Sequence, residues 1–385
     1  MDFDLPEETR MLQDTVRKFV EKELFPLETS LPDRPNSHEL PADVKAPLME
    51  KVRALGLWAM EAPEEIGGGG LGLLDHCIVM EEAYRCTAGR SLWSSLFFPV
   101  LNTLGTPEQK EKYLIPGIKG EFHGASAFSE PNAAGDLAGI QTSAEKVDGG
   151  WKLNGTKCWI SYAKSAKFVL VLTRLKGTSR HEGMTWFIVD AGTDGFSVGR
   201  EQRMIHGQST YELFLNDCVV PDSQLLGERG QGWGAGESAL YRGRVMISAR
   251  AIGIAQRCYE MMIDYAKIRH TFGKPLSSRQ AIQWMIADSA TDLHASRLMV
   301  YEAAWRAQQG QEVRTQMAMI KAFTSEMAGR VVDRAVQIHG AAGLSDETIL
   351  ERCYRDVRPM RIYEGSSEAM RSVIARNELQ SGRNR

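Results

Sequence analysis

A single glutamate, Glu364, lies in the segment IYEGSSEAMR (residues 362–371), between two bulky apolar residues and a Gly-Ser-Ser turn. Ile362 and Tyr363 would limit the access of water to its carboxylate, and partial desolvation raises the pKa of a carboxyl group. A carboxylate in that state is suited to act as a general base. The alternative is a solvated turn residue, and this segment alone does not decide between the two.

Four other short clusters place polar, aromatic or small residues where predicted elements meet. They are AFSEPNAAGD (127–136), CWIS (158–161), RHTFG (269–273) and QIHGAAG (337–343). Small residues after a Ser-Glu-Pro turn let backbone N–H groups approach a ligand, and CWIS puts an indole and a hydroxyl on one face of a strand. Each cluster alone also has a structural interpretation, such as a core tryptophan or a glycine that ends a helix.

Several other chemistries lack their motifs. IGGGGLG (66–72) satisfies G-x-G-x-x-G, but no strand precedes it, so a flexible loop is favoured over a dinucleotide site. None of the eight histidines follows a glutamate by three residues, which removes the di-iron site of some four-helix bundles. No G-x-S-x-G or P-loop motif occurs. The six cysteines include no Cys-x-x-Cys, which indicates neither zinc nor a disulfide framework.

The bulk composition indicates an ordinary globular protein. The chain has 385 residues, of which 43% are hydrophobic and 25% charged, and its net charge is −3. The slightly negative net charge gives no basic surface field that would favour nucleic-acid binding, and no apolar run reaches membrane-spanning length. The acidic start, MDFDLPEETR, lacks the features of a signal or transit peptide. A cytoplasmic location is therefore expected, which also suits scattered, unpaired cysteines.

The elements that must position these clusters fall into three predicted regions. Residues 1–122 show helical periodicity, and TPEQKEKYLIP is predicted to begin at a Thr-Pro cap and to close at Pro116. Residues 123–231 show short alternating runs with turn signals at Asp148-Gly149-Gly150 and Asn154-Gly155, which predict a small β-barrel or sandwich. Residues 232–385 contain three long amphipathic segments and a short one, which predict a four-helix bundle. The predicted fold class is α+β.

The series SEP, WIS, RxTFG, QxxG and YEG, set in an α–β–α chain of this length, resembles the acyl-CoA dehydrogenase family of flavoproteins. The resemblance covers nearly the whole chain. It implies an N-terminal helical domain, a β-barrel and a C-terminal four-helix bundle, with FAD between barrel and bundle. It also implies a homotetramer or dimer that shares the FAD site across subunits, an acyl-CoA substrate, and an electron-transfer flavoprotein as electron acceptor.

The resemblance carries roles to individual positions. It implies that Glu364 removes the α-proton of an acyl thioester while a hydride leaves the β-carbon for the flavin N5. The positions implied to bind FAD are Phe128, Ser129, Trp159, Ile160, Ser161, Arg269, Thr271, Phe272, Gln280, Gln337, Gly340, Ser366 and Glu368. The positions implied to meet the substrate are Gly135, Arg244 and Gly365. No metal site is expected.

The sequence also departs from the family pattern. Asn132, Ala134 and Gly135 replace two glycines and a serine of the usual loop, and the lost serine commonly contacts CoA. Tyr241 stands where an acidic residue is common, and Ala341 replaces a glycine. The acyl group and the thiol carrier therefore stay open. Two alternative functions also stay open: a flavin oxidase of the same superfamily, and a non-catalytic partner subunit of a mixed assembly.

Overall fold

The computed structural model describes residues 4–30, 40–93, 98–133 and 135–381. The chain divides into two compact units. We call them the helical unit, residues 1–58, 71–94 and 241–385, and the sheet unit, residues 59–70 and 95–240.

The α-helices, in chain order, are α1 (Glu7–Phe19), α2 (Phe25–Ser30), α3 (Ala42–Ala54), α4 (Leu73–Ala83), α5 (Pro99–Leu104), α6 (Pro107–Gln109), α7 (Ile115–Lys119), α8 (Gly232–Ile268), α9 (Gln280–Gln308), α10 (Arg314–His339), α11 (Ala341–Leu344), α12 (Leu350–Val357) and α13 (Ser367–Ser381). The strands are β1 (Ala125–Ala127), β2 (Ser143–Val147), β3 (Gly150–Ser161), β4 (Phe168–Leu175), β5 (Met184–Asp190), β6 (Phe196–Arg203), β7 (Ser209–Pro221), β8 (Leu225–Leu226), β9 (His270–Thr271) and β10 (Lys274–Pro275).

In the helical unit, α10 packs against α9, α12 and α13, while α4 packs against α1 and α9. The sequence of α4 places apolar residues nearly all round the helix, which predicts a buried helix, and residues 76–83 are indeed all buried. Two of them are carboxylates, and each has a charged partner: Glu81 accepts from Arg297 at 2.7 Å and Glu82 from Arg17 at 2.6 Å. These pairs satisfy charges that burial would otherwise penalise heavily.

The sheet unit contains an eight-stranded mixed sheet in the order β6-β7-β3-β2-β4-β5-β8, with β1 parallel to β4. The β2–β4 pair is also parallel, and the other neighbours are antiparallel. Inward side chains from these strands form one buried cluster that includes Trp151, Leu153 and Phe187. The strand-rich middle region and the α+β class predicted from the sequence are confirmed.

The helical segment that begins at Thr106 does not end at Pro116. Thr106 forms the predicted cap, in a reciprocal capping box with Gln109. A π-helical turn over Lys110–Leu114 then leads into α7, where Pro116 occupies the first turn and Gly120 (φ 82°) follows the last residue. Proline is tolerated in a first turn because its missing N–H needs no partner there, so the expectation that the helix closes at Pro116 is wrong.

The expected turn at Asn154-Gly155 is also wrong, whereas residues 148 and 149 do form the other turn. Both Asn154 and Gly155 lie inside β3. A Cβ atom on Gly155 would lie 2.4 Å from Oγ1 of Thr142, so the glycine permits a close approach of two backbones. Asn154 accepts from the backbone N–H of Asp217 at 2.8 Å through its side-chain oxygen. The dipeptide therefore serves strand packing.

Three further expectations concern the glycine-rich segment, the cysteines and membrane-spanning helices. The glycine-rich segment 66–72 forms a loop that precedes α4, and no strand leads into it, as expected. All six cysteines are buried and free, so no disulfide framework exists. Among the helices that the structure describes, none combines the length and the apolar character that a membrane crossing requires.

Candidate active site

Glu364 lies in the helical unit, in the loop between a short 3-10 turn (Pro359–Arg361) and α13. Its backbone is left-handed, with φ 55°, and Gly365 follows with φ 100°. A non-glycine residue in this region costs about 1–2 kcal/mol, and such strain is concentrated at functional sites. The loop therefore holds Glu364 in a conformation that the chain would not choose by itself.

The carboxylate of Glu364 rests against α8 at a residue without a side chain. A Cβ atom built on Gly243 would lie 2.7 Å from Oε2 of Glu364. Any larger residue at this position would push the carboxylate away. The side chain as a whole is half-buried, so it is partly desolvated but still accessible.

Two cationic side chains hold the backbone of this loop. Arg244 of α8 donates from Nε to the carbonyl oxygen of Glu364 at 3.2 Å. Lys321 of α10 donates from Nζ to the carbonyl oxygen of Gly365. Lys321 is completely buried, so its ammonium group is fixed in direction. The structure thus brings together three predicted site residues, Glu364, Gly365 and Arg244, and adds Lys321.

The next two predicted residues, Ser366 and Glu368, lie at the N-terminus of α13, Ser366 just before its first residue and Glu368 in its first turn. The hydroxyl of Ser366 accepts from the backbone N–H of Ala369 at 3.2 Å, which caps the helix. Glu368 is exposed, and hydrogen bonds to its own backbone N–H and to Ser366 lower the pKa of its carboxyl. These contacts tie the end of the loop that carries Glu364 to a regular helix.

Charges around Glu364 act in opposite directions on its pKa. Burial raises the pKa of the carboxyl above its ordinary value, and the positive charges of Arg244, Arg250 and Lys321 oppose that rise. Burial, together with the positive charge of the neighbouring Arg244, lowers the pKa of Lys321 to about 8. A carboxylate whose desolvation is only partly compensated has the properties of a general base.

In the sheet unit, β3 presents the second group of predicted residues. The strand contains an extra residue opposite β7 just before Ile160, a β-bulge. Trp159 has φ 56° and is 46% exposed, Ile160 is buried, and Ser161 is half-buried. The bulge therefore leaves the large indole of Trp159 exposed, and Ser161, two residues later, is also partly accessible. Phe128 and Ser129 are half-buried in the segment after β1.

These two segments are joined directly. The backbone N–H of Cys158 donates to the carbonyl oxygen of Ser129 at 3.0 Å. Lys157, fully buried, donates from Nζ to the carbonyl oxygen of Phe128 at 3.0 Å and to Glu130 at 2.8 Å. The structure thus brings Phe128, Ser129 and the bulge of β3 together around a buried ion pair.

Glu130 completes its coordination through backbone donors. It accepts from the N–H groups of Gln141 at 2.6 Å and Thr142 at 3.0 Å. Burial alone would raise the pKa of the Glu130 carboxyl, but the charge of Lys157 and these hydrogen bonds bring it below its usual value. The pair is therefore a charged, fully satisfied support beneath the outward-facing residues.

A third group of predicted residues surrounds the β9–β10 hairpin. Arg269 is exposed just after α8, and its carbonyl oxygen accepts from Leu276 at 2.8 Å. Phe272 lies at the hairpin turn with φ 50° and is 97% exposed. The carbonyl oxygen of Thr271 accepts from Arg279 at 2.7 Å. The phenyl ring of Phe272 contacts the guanidinium of Arg279 at 5.9 Å, and its strained turn leaves it almost fully exposed.

The remaining predicted residues lie at exposed element ends. Gln280 begins α9, Gln337 lies in the last turn of α10, and Gly340, with φ 60°, ends that helix. Gly135 is exposed, and a Cβ atom there would meet nothing within 4 Å. Ala134 lies outside the described residues. Their assigned contacts with FAD and substrate stay predictions.

Sequence reasoning did not identify Gly243, Lys321 or the Glu130–Lys157 pair. Lys321 had a signal, because it interrupts the apolar run MAMIKAF in the middle of a helix. A lysine in such a place must find a buried acceptor or shift its pKa. Gly243 had no such signal, because the sequence does not show which side chain packs against a glycine in a helix.

The family models for the N-terminal, middle and C-terminal domains of acyl-CoA dehydrogenase match residues 6–121, 125–218 and 230–379. Human mitochondrial short-chain specific acyl-CoA dehydrogenase is 37% identical over 386 residues, which cover 99% of this chain and 92% of that protein. The chain therefore belongs to the acyl-CoA dehydrogenase family, and it is an oxidoreductase with that family's three-domain fold.

Two solved structures add detail. A chain from a structure reported for the electron-transferring flavoprotein of Acidaminococcus fermentans has a TM-score of 0.87 and 34% identity, covering 98% of this chain and 100% of that chain. The FAD complex of PigA has a TM-score of 0.90 and 27% identity, covering 98% of this chain and 99% of that chain. FAD-binding proteins thus share this fold over its full length.

Proposed function

We propose that this protein dehydrogenates an acyl-CoA thioester between its α and β carbons, with Glu364 as the general base. One observation carries the proposal: a half-buried carboxylate, with its pKa raised by burial, is held against Gly243 by a strained loop. Arg244 and Lys321 fix that loop through its carbonyl oxygens. A solvated turn residue would need none of these features.

In the proposed reaction, a carboxylate oxygen of Glu364 accepts the α-proton, and negative charge develops on the thioester oxygen. The backbone N–H of Glu364 makes no hydrogen bond within the part of the chain that the structure describes, so it is free to donate to that oxygen. One such donor typically lowers the barrier by about 2.7–4 kcal/mol. The same residue would therefore supply the base and one oxyanion donor.

The residues present fit an FAD cofactor. A flat ligand suits the outward indole of Trp159, with the hydroxyls of Ser129 and Ser161 as hydrogen-bonding groups beside it. Arg269, with its planar fork of donors, is suited to the pyrophosphate. When bound, FAD would supply the two-electron oxidant that receives the hydride equivalent from the β-carbon. Phe128, Ile160, Thr271, Phe272, Gln280, Gln337, Gly340, Ser366 and Glu368 complete the proposed set.

Replacement of the base tests the central assignment. We expect Glu364→Gln to retain FAD and to lose about 10²- to 10⁴-fold in kcat/KM, the usual contribution of a general base. The measurement is the anaerobic bleaching rate of the bound flavin with a panel of acyl-CoA thioesters. Glu347→Gln, an exposed carboxylate in the same unit, is the control and should react normally. Near-normal turnover of Glu364→Gln would disprove the assignment.

We also propose that the electrons leave through an electron-transfer flavoprotein. Turnover with that acceptor in place of oxygen, and without hydrogen peroxide, is the expected result. Stoichiometric peroxide in the absence of the acceptor would instead select the flavin-oxidase alternative. A purified protein that holds no flavin without another polypeptide would select the partner-subunit alternative.

A further inference from the structure

Two residues of the helical unit are accessible although the segments that carry them are buried. Arg250 of α8 is the one residue in 245–255 that is not buried, and Tyr84, just after α4, is the one in 76–90. The two contact each other, with the guanidinium carbon of Arg250 4.9 Å from the ring centroid of Tyr84. The pair is therefore partly accessible in a part of the unit whose other residues are buried.

Arg250 makes no ion pair among the residues that the structure describes. Its guanidinium makes no hydrogen bond or ion pair within the described residues, and its Nε is buried without a partner. Arg90 offers a direct comparison, because it also approaches the ring of Tyr84, at 5.0 Å. Arg90, however, is paired with Asp356 at 2.6 Å. An unpaired buried donor of this kind costs stability unless a ligand satisfies it.

Arg250 lies close to the proposed base. Gly243, which touches the carboxylate of Glu364, precedes Arg250 by seven residues, or two turns of α8 on the same face and about 10 Å along its axis. Side chains of a helix lean toward its N-terminus, which brings the guanidinium closer to Glu364. The electrostatics agree: burial raises the pKa of the Tyr363 hydroxyl and of the Glu364 carboxyl, and Arg250 opposes both shifts.

We propose that Arg250, oriented by Tyr84, binds a carboxylate at the far end of the acyl chain, so that the preferred substrates are CoA thioesters of short dicarboxylic acids. The proposal rests on the proposed function. Glu364 takes the α-proton, the hydride equivalent passes to the bound flavin, and the product is the α,β-unsaturated thioester with its distal carboxylate intact. Guanidinium suits this partner because it donates two parallel hydrogen bonds to a carboxylate.

Burial favours the acyl end over the CoA end as the source of the anion. Residues 241–244 of α8 form a continuous half-buried run, whereas Arg250 is a single half-buried residue with buried neighbours on both sides. CoA is large and highly charged, so it must stay near the protein surface, while the acyl chain enters the interior. A carboxylate that enters there needs a fixed cation, since an unpaired charge is strongly disfavoured in the interior.

The test compares thioesters of matched length on the flavin-loaded protein. Succinyl-, glutaryl- and adipyl-CoA are each paired with butyryl-, valeryl- and hexanoyl-CoA, and anaerobic flavin bleaching gives kcat/KM for every one. At least one dicarboxylic thioester should exceed its partner by about tenfold or more. Arg250→Gln also removes positive charge near Glu364, so it should reduce kcat/KM for every thioester. The reduction should be about 10- to 150-fold greater for the dicarboxylic thioester than for its monocarboxylic partner, the range for a lost hydrogen bond to a charged group. Arg250→Lys should keep part of the preference.

Arg257 provides the matched control. It lies seven residues further along α8 and stacks on Phe25 at 3.9 Å, so it repeats the arginine–aromatic contact away from the base. Arg257→Gln should leave the ratio of dicarboxylic to monocarboxylic substrates unchanged. Thermal melting and flavin content of all variants separate loss of folding from loss of recognition.

A binding measurement separates this inference from the proposed function. In the Glu364→Gln background, where turnover is suppressed, calorimetry gives the Kd of glutaryl-CoA, valeryl-CoA and free CoA. Adding Arg250→Gln should weaken glutaryl-CoA alone. Equal weakening of all three would assign Arg250 to a CoA phosphate and overturn the inference, as would a wild type without any dicarboxylic preference. A uniform loss of kcat would show a structural role instead. If no thioester binds at all, the proposed function itself fails.

Discussion

In two regions of the molecule, a buried lysine donates to a backbone carbonyl oxygen, but only one of the two lysines is paired with a carboxylate. In the sheet unit, the buried Lys157 donates to the carbonyl oxygen of Phe128, and in the helical unit the buried Lys321 donates to that of Gly365. Lys157 is also hydrogen-bonded to Glu130 at 2.8 Å. Lys321 has no carboxylate partner at hydrogen-bond distance among the described residues.

The difference assigns different tasks to the two lysines. A buried lysine that is paired adds no net charge, so the segment beside Trp159 is held in shape and stays electrically neutral. An unpaired one places positive charge near Glu364, where it opposes the effect of burial on the pKa of that carboxyl. We infer that Lys157 is architectural, whereas Lys321 both positions the base and tunes it.

The largest effect is expected at the paired lysine. Lys157→Met leaves the buried carboxylate of Glu130 without its cation, and breaking a buried pair typically destabilises a protein by about 3–5 kcal/mol. Denaturant unfolding of the purified variant measures this loss. The double variant Lys157→Met/Glu130→Gln should recover most of it, because no charge is then left uncompensated. Equal stability of the single variant and the wild type would contradict the architectural role.

At the unpaired lysine, the expected effect is on catalysis. Lys321→Met removes positive charge near Glu364, so the pKa of the carboxyl should rise further and the ascending limb of the kcat/KM–pH profile should move to higher pH. We expect a loss of about tenfold at neutral pH, in the range for an unsatisfied buried acceptor. Partial recovery at alkaline pH distinguishes an altered pKa from a displaced loop. Lys321→Arg, which keeps the charge, should restore the position of the limb.

The smallest effect concerns the contribution of Glu364 to the stability of the folded protein. Because burial raises the pKa of folded Glu364 above its unfolded value near 4.5, stability falls as pH rises through that interval. Glu364→Gln should therefore unfold at a higher temperature than the wild type at pH 7.5, by a gain on the order of 1 kcal/mol. The gain should vanish below about pH 4, where both side chains are neutral. A gain that persists there would point to packing instead.

Much of the architecture follows from sequence periodicity. The buried helix α4, the cap at Thr106 and the strand-rich middle region were all predictable, because each depends on residues that are close together in the chain. The errors at Pro116 and at Asn154-Gly155 have a common cause. Each place contains a residue that usually ends an element. At Pro116 a π-helical turn lets the helix continue, and at Gly155 the strand continues because Thr142 packs closely against the glycine.

By itself, the sequence determined the order of elements and the family, and it singled out the glutamate near the C-terminus as the candidate base, because motifs and periodicity are local properties. Only the tertiary structure decided that Gly243 makes room for that carboxylate, that Lys321 holds the loop and that the buried Nε of Arg250 has no hydrogen-bond partner. The physical reason is that burial and charge pairing depend on which distant segments meet. A pKa is set by those neighbours, and the chain order does not reveal them.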